Sequence, residues 1–235
     1  MSSSWCFLSM AKKKYFWITI DGTDGVGKTT VSQSLADLFR VRFKNKIDVV
    51  CLPEFSQTVV GDLLRKLVSK YQFVQLEKGK HYVGAETSLL LGDLFAKTEA
   101  CDRFSKNTIV ISDRGLCSLI AYQQYRYDKT QNSINDKKGF YEWLESLRSL
   151  CIRSDLTFLL TLPVKEIIKR LRNRGDAINS DLIELITHTQ ESMKTSKGTI
   201  SIIDCMNKEN DSICLEILNV VEPQLSKWAK LASQV

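Results

Sequence analysis

The residues with the most specific chemistry lie between Gly22 and Thr29, where the sequence reads Gly-Thr-Asp-Gly-Val-Gly-Lys-Thr. This stretch satisfies the pattern G-x-x-x-x-G-K-[ST]. An apolar run precedes it and predicts a strand, and an amphipathic helical pattern follows it. Glycines let the backbone curl so that N–H groups point into one concavity, and a helix N-terminus adds its positive end there. The stretch therefore predicts a phosphate loop that holds a nucleoside triphosphate.

Two side chains of this loop have predicted roles toward the triphosphate and its metal. Lys28 would reach the β- and γ-phosphates, and the hydroxyl of Thr29 would ligate Mg²⁺. A zinc site is not expected, because the seven cysteines contain no C-x-x-C pair and the two histidines are far apart in sequence. The predicted nucleotide-binding residues are Gly22, Thr23, Asp24, Gly25, Val26, Gly27, Lys28, Thr29 and Thr30.

A second candidate cluster follows the buried run Thr108–Ile111, which leads into Asp113 and Arg114. In parallel α/β sheets, ligands bind at the carboxyl ends of the strands, and both the phosphate loop and this pair fall there. Asp113 could hold Mg²⁺ or its water, and Arg114 could grip an anionic acceptor. The alternative is a structural ion pair at the strand end.

Five short apolar, β-branched runs supply the strands that must position these residues. They are Tyr15–Ile20, Ile47–Leu52, Thr108–Ile111, Leu156–Leu162 and Thr199–Ile203. Helical patterns lie between them, with apolar faces formed by Val31, Leu35, Leu38 and Phe39 and by Val164, Ile167, Ile168 and Leu171. Alternating strands and helices predict a parallel sheet covered on both faces. Two segments, Tyr71–Tyr82 and Tyr125–Gly139, are predicted as loops.

Length and composition bound the remaining possibilities. A chain of 235 residues with 43% hydrophobic content and no Pro- or Gly-rich divider predicts one domain, residues 14–235, after an unstructured extension, residues 1–13. The net charge of +6 suits anionic small molecules, and without an aromatic-basic module we expect no nucleic-acid partner. Most cysteines have apolar neighbours, which favours reduced thiols in the cytoplasm, and no run is long enough to span a membrane.

Three stretches together resemble the thymidylate kinase family. Residues 16–30, FWITIDGTDGVGKTT, are similar to its opening F-I-x-x-E/D-G-x-D-G-x-G-K-T/S-T, and residues 112–123, SDRGLCSLIAYQ, to its D-R-Y-x-x-S-x-x-A-Y-Q segment, with Gly115 in place of the tyrosine. Residues 155–176 resemble its P-D-L-T segment, which leads through a helix into an arginine-bearing LID. The resemblance covers roughly Tyr15 to Asp204.

The resemblance implies a P-loop NTPase fold, a three-layer α/β/α architecture with a five-stranded parallel sheet, and a homodimer. It implies transfer of the ATP γ-phosphate to a deoxynucleoside monophosphate, with dTMP as the expected acceptor and Mg²⁺ as cofactor. Arg170, Arg172 and Arg174 fall at the LID, and Val26 leaves the phosphate loop without the basic residue that some members carry. We therefore expect Lys28, Arg170, Arg174 and Asp113 to be catalytic, with Thr29 and Asp113 at the metal.

The acceptor side departs from the family pattern. The arginine expected after the second strand is replaced by the sequence Leu52-Pro53-Glu54-Phe55, and the helix around Phe95 lacks the arginine that contacts the base. A deoxynucleoside kinase with Glu54 as base is thus an alternative, as is a P-loop protein that binds nucleotide without transferring phosphate. The predicted acceptor-binding residues are Asp24, Glu54, Phe95, Arg114, Ser118, Tyr122 and Gln123.

Overall fold

The computed structural model describes residues 15–44, 46–71, 76, 82–101, 103–105, 107–130, 137–150, 154–196 and 200–232. The predicted extension, residues 1–13, lies outside them. The strands are β1 (Tyr15–Asp21), β2 (Asp48–Leu52), β3 (Thr108–Asp113), β4 (Leu156–Thr161) and β5 (Ile200–Asp204). The helices are α1 (Lys28–Phe43), α2 (Val59–Tyr71), α3 (Val83–Cys101), α4 (Leu116–Lys129), α5 (Lys137–Leu150), α6 (Val164–Arg174), α7 (Ser180–Lys194) and α8 (Asn210–Ala232).

The five strands form one sheet in the order β2-β3-β1-β4-β5, and every neighbouring pair is parallel. The register pairs Ile18 of β1 with Ile111 of β3 and with Leu156 of β4. The chain leaves β1 toward β2 on one side and later crosses to β4 on the other. The order of the strands therefore reverses beside β1, and at such a point a parallel sheet opens a crevice for ligands.

Helices cover both faces of the sheet, because side chains alternate between the faces along each strand. Phe16, Ile18 and Ile20 pack in a cluster with apolar side chains of α1, α6 and α8. Tyr15 and Trp17 point to the opposite face, where Trp17 packs with Cys101 of α3 and Val110 of β3. The five-stranded parallel sheet between two helical layers confirms the predicted fold class.

The predicted strands match the observed ones to within two residues at each end, but the loop predicted for Tyr125–Gly139 is wrong at both of its ends. The helix α4 continues to Lys129, and α5 already begins at Lys137. Tyr127 is buried and stacks on Phe140, with the ring centroids 4.4 Å apart. This packing between α4 and α5 offsets the weak helical preference of the polar segment. Most of the other predicted loop, Tyr71–Tyr82, lies outside the described residues.

Candidate active site

The phosphate loop, residues 22–27, connects the central strand β1 to α1. Gly22 has φ 147°, and a Cβ there would lie 2.8 Å from the carbonyl oxygen of Leu160, so no other residue fits without a shift. Gly27 precedes α1 without a side-chain cap, and the first turn of α1 contains no acidic residue. The first N–H groups of the helix are therefore left for an anion in the loop.

Lys28 lies beside this concavity. Its ammonium group donates a hydrogen bond to the carbonyl oxygen of Thr23 at 2.9 Å and lies 3.8 Å from a carboxylate oxygen of Asp24. Lys28 is buried, and desolvation together with the nearby charge of Arg114 lowers its pKa from the ordinary value. The position of the ammonium group suits a bound polyphosphate, whose charge would offset both effects.

Thr29 and Asp113 come together at the carboxyl ends of β1 and β3. The hydroxyl of Thr29 donates to Oδ2 of Asp113 at 2.5 Å. The other carboxylate oxygen, Oδ1, is buried and has no hydrogen-bond partner. A hydroxyl and a carboxylate are hard oxygen ligands of the kind that Mg²⁺ prefers. The orphaned oxygen fits a divalent cation or its water at this place.

Arg114 has a backbone conformation that is uncommon for a residue with a side chain. Its φ is 63°, in the left-handed region. The turn is held by a hydrogen bond from its N–H to the carbonyl oxygen of Ile20 at 3.0 Å, and by one from the Ser112 hydroxyl to its own carbonyl oxygen at 2.8 Å. Strained backbone of this kind is concentrated at functional sites. Here it turns the guanidinium back toward the phosphate loop.

The guanidinium of Arg114 is placed between two carboxylates. It forms ion pairs with Asp24 and, at 2.8 Å through Nε, with Glu54, and it donates to the carbonyl oxygen of Gly22 at 3.1 Å. Burial opposes the charge of Arg114, but Asp24 and Glu54 outweigh it and raise its pKa well above the usual value. Desolvation likewise opposes the charge of Asp24, whose pKa Arg114 and Lys28 nevertheless lower. Asp24 and Arg114 therefore each stabilise the charged form of the other.

A cavity that is open to solvent begins beside Arg114 and runs between α3 and α4. Six of the seven predicted acceptor-binding residues line it, namely Asp24, Glu54, Arg114, Ser118, Tyr122 and Gln123. Phe95 does not line it and instead packs against the cluster that contains Val83, Ile120 and Phe140. The other lining residues are Phe55, Val68, Leu90, Asp93, Leu94, Lys97, Gly115, Leu119 and Arg126.

Gly115, which stands where related sequences have tyrosine, is explained by a close approach. A Cβ at this position would lie 2.8 Å from Cγ2 of Thr19 and 3.5 Å from a carboxylate oxygen of Asp21. The Gly115 N–H also donates to the other carboxylate oxygen of Asp21 at 3.3 Å. The turn after Arg114 therefore lies directly against β1, and a side chain at this position would require Thr19 to shift.

Two cationic residues of the cavity, Lys97 and Arg126, are absent from the residues predicted by sequence. Lys97 is buried and donates to the carbonyl oxygen of Glu54 at 2.7 Å, and burial lowers its pKa. Arg126 is buried and forms an ion pair of 2.9 Å with the fully buried Glu86. The position of Arg126 could have been predicted, because it lies four residues beyond the predicted cavity residue Tyr122 and so on the same face of α4.

The three arginines predicted for the LID lie in the second half of α6. Arg170 donates to the carbonyl oxygen of Val26 in the phosphate loop at 3.2 Å. Arg174, four residues further on the same face, forms an ion pair with Asp176 at 2.7 Å. Arg172 is exposed on another side of the helix. Of the three, Arg170 contacts the loop that would hold the nucleotide.

The phosphate loop follows the central strand, with an oxygen-ligand pair beside it and a cavity with cationic groups next to it. These features are those of a P-loop nucleotide kinase. The comparisons with known proteins specify the family. The family model described as "Thymidylate kinase" matches residues 20–213 of the chain. A protein from Pyrococcus abyssi named "Probable thymidylate kinase" is 34% identical over 72% of this chain and 77% of its own. The "Thymidylate kinase" of a Sulfurihydrogenibium species is 30% identical over 80% of this chain and 88% of its own.

The chain belongs to the thymidylate kinase family, and its class is that of ATP-dependent nucleoside monophosphate kinases. Its fold is shared with the solved thymidylate kinase of Candida albicans, with a TM-score of 0.67 at 20% identity over 89% of this chain and 92% of the other. Among the residues that the structure describes, no helix combines the length and the apolar composition that crossing a bilayer requires.

Proposed function

We propose that the protein transfers the γ-phosphoryl group of ATP to dTMP, giving dTDP and ADP. The observation that carries the proposal is the position of Arg114, which contacts the phosphate loop through Gly22 and Asp24 and also lines the acceptor cavity. An acceptor phosphate held by this guanidinium would lie next to the γ-phosphate. An oxygen of dTMP would attack phosphorus as the bond to the ADP oxygen breaks, so positioning and charge neutralisation supply the catalysis.

The residues around the phosphate loop have complementary roles in this reaction. Lys28 would bind the β- and γ-phosphates, and Arg170 would neutralise the charge of the transferring group, with Arg174 joining it as the LID closes. Thr29 and Asp113 would hold Mg²⁺, which when bound neutralises phosphate charge and aligns the triphosphate. The burial of Lys28 and the contact of Arg170 with Val26 support these assignments.

The choice of dTMP rests on the relatives and on the cavity. The relatives from Pyrococcus abyssi and Sulfurihydrogenibium are named as thymidylate kinases. The cavity is lined by the apolar residues Phe55, Leu90 and Leu119, which suit the flat apolar faces of a base. Arg114, at the end of the cavity near the loop, suits the acceptor phosphate.

A second candidate acceptor is a deoxynucleoside, and the ion pair between Glu54 and Arg114 favours it. At 2.8 Å, Arg114 orients the Glu54 carboxylate beside the cavity. A carboxylate in that position could take the proton of a sugar 5′-hydroxyl as the oxygen attacks the γ-phosphate. A monophosphate needs no such base, since its attacking oxygen is already ionised.

The test is ADP release in a coupled assay with dTMP, thymidine and the other deoxynucleosides and their monophosphates, for the parent and for Glu54→Gln. We expect dTMP to give the largest kcat/KM, and Glu54→Gln to retain activity toward dTMP within about tenfold. Faster turnover of a nucleoside than of any monophosphate, lost by more than about 10²-fold in Glu54→Gln, would establish the nucleoside kinase reading instead.

We also propose that the protein is a cytoplasmic homodimer formed by the kinase domain, residues 14–235. Support comes from apolar side chains on α2 that face solvent in the single chain, with Val59 85% exposed and Leu63 42% exposed. Light scattering after gel filtration should give twice the chain mass. The variant Leu63→Asp should reduce that mass toward one chain if α2 lies in the interface. Val41→Asp, at an exposed apolar side chain of α1, is the control.

A further inference from the structure

The end of the acceptor cavity away from the phosphate loop contains a buried ion pair. Arg126 lines the cavity, and Nη2 of its guanidinium lies 2.9 Å from Oε2 of Glu86. Glu86 does not line the cavity and is fully buried behind Arg126. Its other carboxylate oxygen faces the backbone N–H groups of Leu76 and Tyr82, each at 3.4 Å. The carboxylate is thus held from two sides, and it orients the guanidinium.

The position of Arg126 along α4 sets which part of an acceptor it can reach. Ser118, Tyr122 and Arg126 are spaced four residues apart and all line the cavity. From Ser118, beside Arg114, to Arg126 is eight residues, or about 12 Å along the helix axis. That is comparable to the length of a nucleoside monophosphate. With the phosphate at Arg114, the edge of the base would face Arg126.

A guanidinium has hydrogen-bond donors and no acceptor, and it does not lose its proton in proteins. Where it faces C4 of a pyrimidine, it favours a carbonyl group there and opposes an amino group, whose hydrogens would face its own. The buried carboxylate of Glu86 pairs with the guanidinium on the side away from the cavity and so fixes its orientation.

We propose that Arg126, oriented by Glu86, selects acceptors whose base has a carbonyl group at the edge, and rejects the 4-amino pyrimidine cytosine. The proposal rests on the proposed function and names the chemical feature that the same site recognises. Arg126 would contact the acceptor directly and determine its specificity, and Glu86 would be a positioning residue.

The acceptors dUMP and dCMP provide the sharpest test, because the two bases differ in the carbonyl or amino group at C4 and the proton at N3. The measured quantity is the ratio of kcat/KM for dUMP to that for dCMP, with dTMP as reference. We expect the parent to favour dUMP by about 10-fold or more, and Arg126→Met to bring the ratio close to one with the KM for ATP unchanged. Arg126→Lys keeps a donor-only cation and should preserve the direction of the preference.

Arg126→Met leaves Glu86 buried without its counter-charge and could unfold the chain. The double variant Arg126→Gln/Glu86→Gln removes both charges together and should also lose the preference. Titration calorimetry with dUMP and dCMP in the absence of ATP gives the same comparison without turnover. The control is Arg42→Met, which breaks an exposed ion pair of 2.8 Å with Glu222 and should leave the ratio unchanged.

Equal use of dUMP and dCMP by the parent would overturn the inference, as would an unchanged ratio in a folded Arg126→Met or double variant, since Arg126 would then be only structural. Failure of the proposed function has a different signature. If no monophosphate is accepted but nucleosides are, the same ratio is measured with deoxyuridine and deoxycytidine, and the inference stands or falls on that result.

Discussion

Arg114 combines a strained backbone with several charge interactions in a single residue. A left-handed conformation costs a residue with a side chain about 1–2 kcal/mol. The cost is offset by two backbone hydrogen bonds and by ion pairs with Asp24 and Glu54. A glycine here would relieve the strain but would remove the guanidinium, which contacts the phosphate loop and lines the acceptor cavity. A functional role of the guanidinium therefore explains the strained backbone better than stability does.

At Lys28, the expected result concerns turnover rather than folding. Lys28→Ala should reduce kcat by about 10²-fold or more, because a preorganised positive charge at the transferring phosphoryl group is lost. The melting temperature should stay within a few degrees of the parent, since among the described residues the ammonium donates a hydrogen bond to Thr23 and otherwise forms a long ion pair of 3.8 Å with Asp24. Steady-state kinetics and a thermal melt on the same sample measure both. Lys208→Ala, at an exposed ion pair, is the control, and parental kcat in a folded Lys28→Ala would refute the role.

Lys97 connects α3 to the turn after β2 and so holds Glu54 in place. Lys97→Met would leave the carbonyl oxygen of Glu54 without its donor, which should lower the free energy of unfolding by about 1–3 kcal/mol. The KM for the acceptor should rise more than the KM for ATP, because Glu54 and Lys97 both line the acceptor cavity. Urea denaturation and two-substrate kinetics provide the measurements. The exposed Lys66→Met serves as control, and equal changes in the two KM values would contradict the assignment.

Among the elements, α4 and α6 each contribute to the candidate site through one helical face. The cavity-lining residues Ser118, Tyr122 and Arg126 repeat every four positions on α4. On α6, the apolar side chains Ile167, Ile168 and Leu171 are buried, so Arg170 and Arg174 are left near the phosphate loop at the open side of the helix. Packing of one face thus determines where the charges of the other face lie.

For the LID arginines, the same reasoning ranks three alanine variants. Arg170→Ala should reduce kcat by about 10³-fold, since an arginine that stabilises the transferring phosphoryl group contributes about that much. Arg174→Ala should also reduce kcat strongly, whereas Arg172→Ala, on a different side of α6, is the matched control and should change it little. Single-turnover kinetics with the KM for ATP separate chemistry from binding. If all three variants stay within a few-fold of the parent, another loop must supply the charge.

At the scale of the whole molecule, the thiols report how well the core excludes solvent. In the described part of the chain, Cys51, Cys101, Cys117, Cys205 and Cys214 are free. Cys205 and Cys214 belong to the large cluster between the sheet, α1 and α8, and burial raises the pKa of each to about 11. Well below that pKa these thiols stay protonated in the folded chain, and the thiolate is the reactive form.

Iodoacetamide labelling at pH 7.5 should therefore modify Cys205 and Cys214 far more slowly in the folded chain than after unfolding, by about 10²-fold or more. The native state holds these protons more tightly than the unfolded state. The protonated thiols therefore contribute to the stability of the folded chain. This contribution is fully present below the ordinary thiol pKa of 9.0 and is lost as the pH rises toward about 11. Mass spectrometry of the labelled peptides gives the rates. Equal labelling in folded and unfolded chains would show that this core is open.

The sequence by itself determined the features that depend on short stretches of chain. The phosphate loop needs glycines and a lysine at fixed spacing between a strand and a helix. Because these requirements are local, the role of residues 22–29 could be predicted from the sequence alone. The strands were readable because each is a short apolar run, and the meeting of Thr29 with Asp113 followed from the geometry of parallel strands. Family membership followed from these same motifs and is confirmed by the comparisons.

Only the tertiary structure decided what lines the acceptor cavity, because its walls come from segments far apart in sequence. Phe95 was expected there, but on α3 it packs against the cluster that contains Val83 and Phe140. The residue of α3 that lines the cavity near this point is Lys97. Arg126 enters the cavity because α4 continues through a segment whose composition predicts a loop, and it is held there by Glu86 from α3. Packing between helices sets which faces of α3 and α4 are turned toward the cavity.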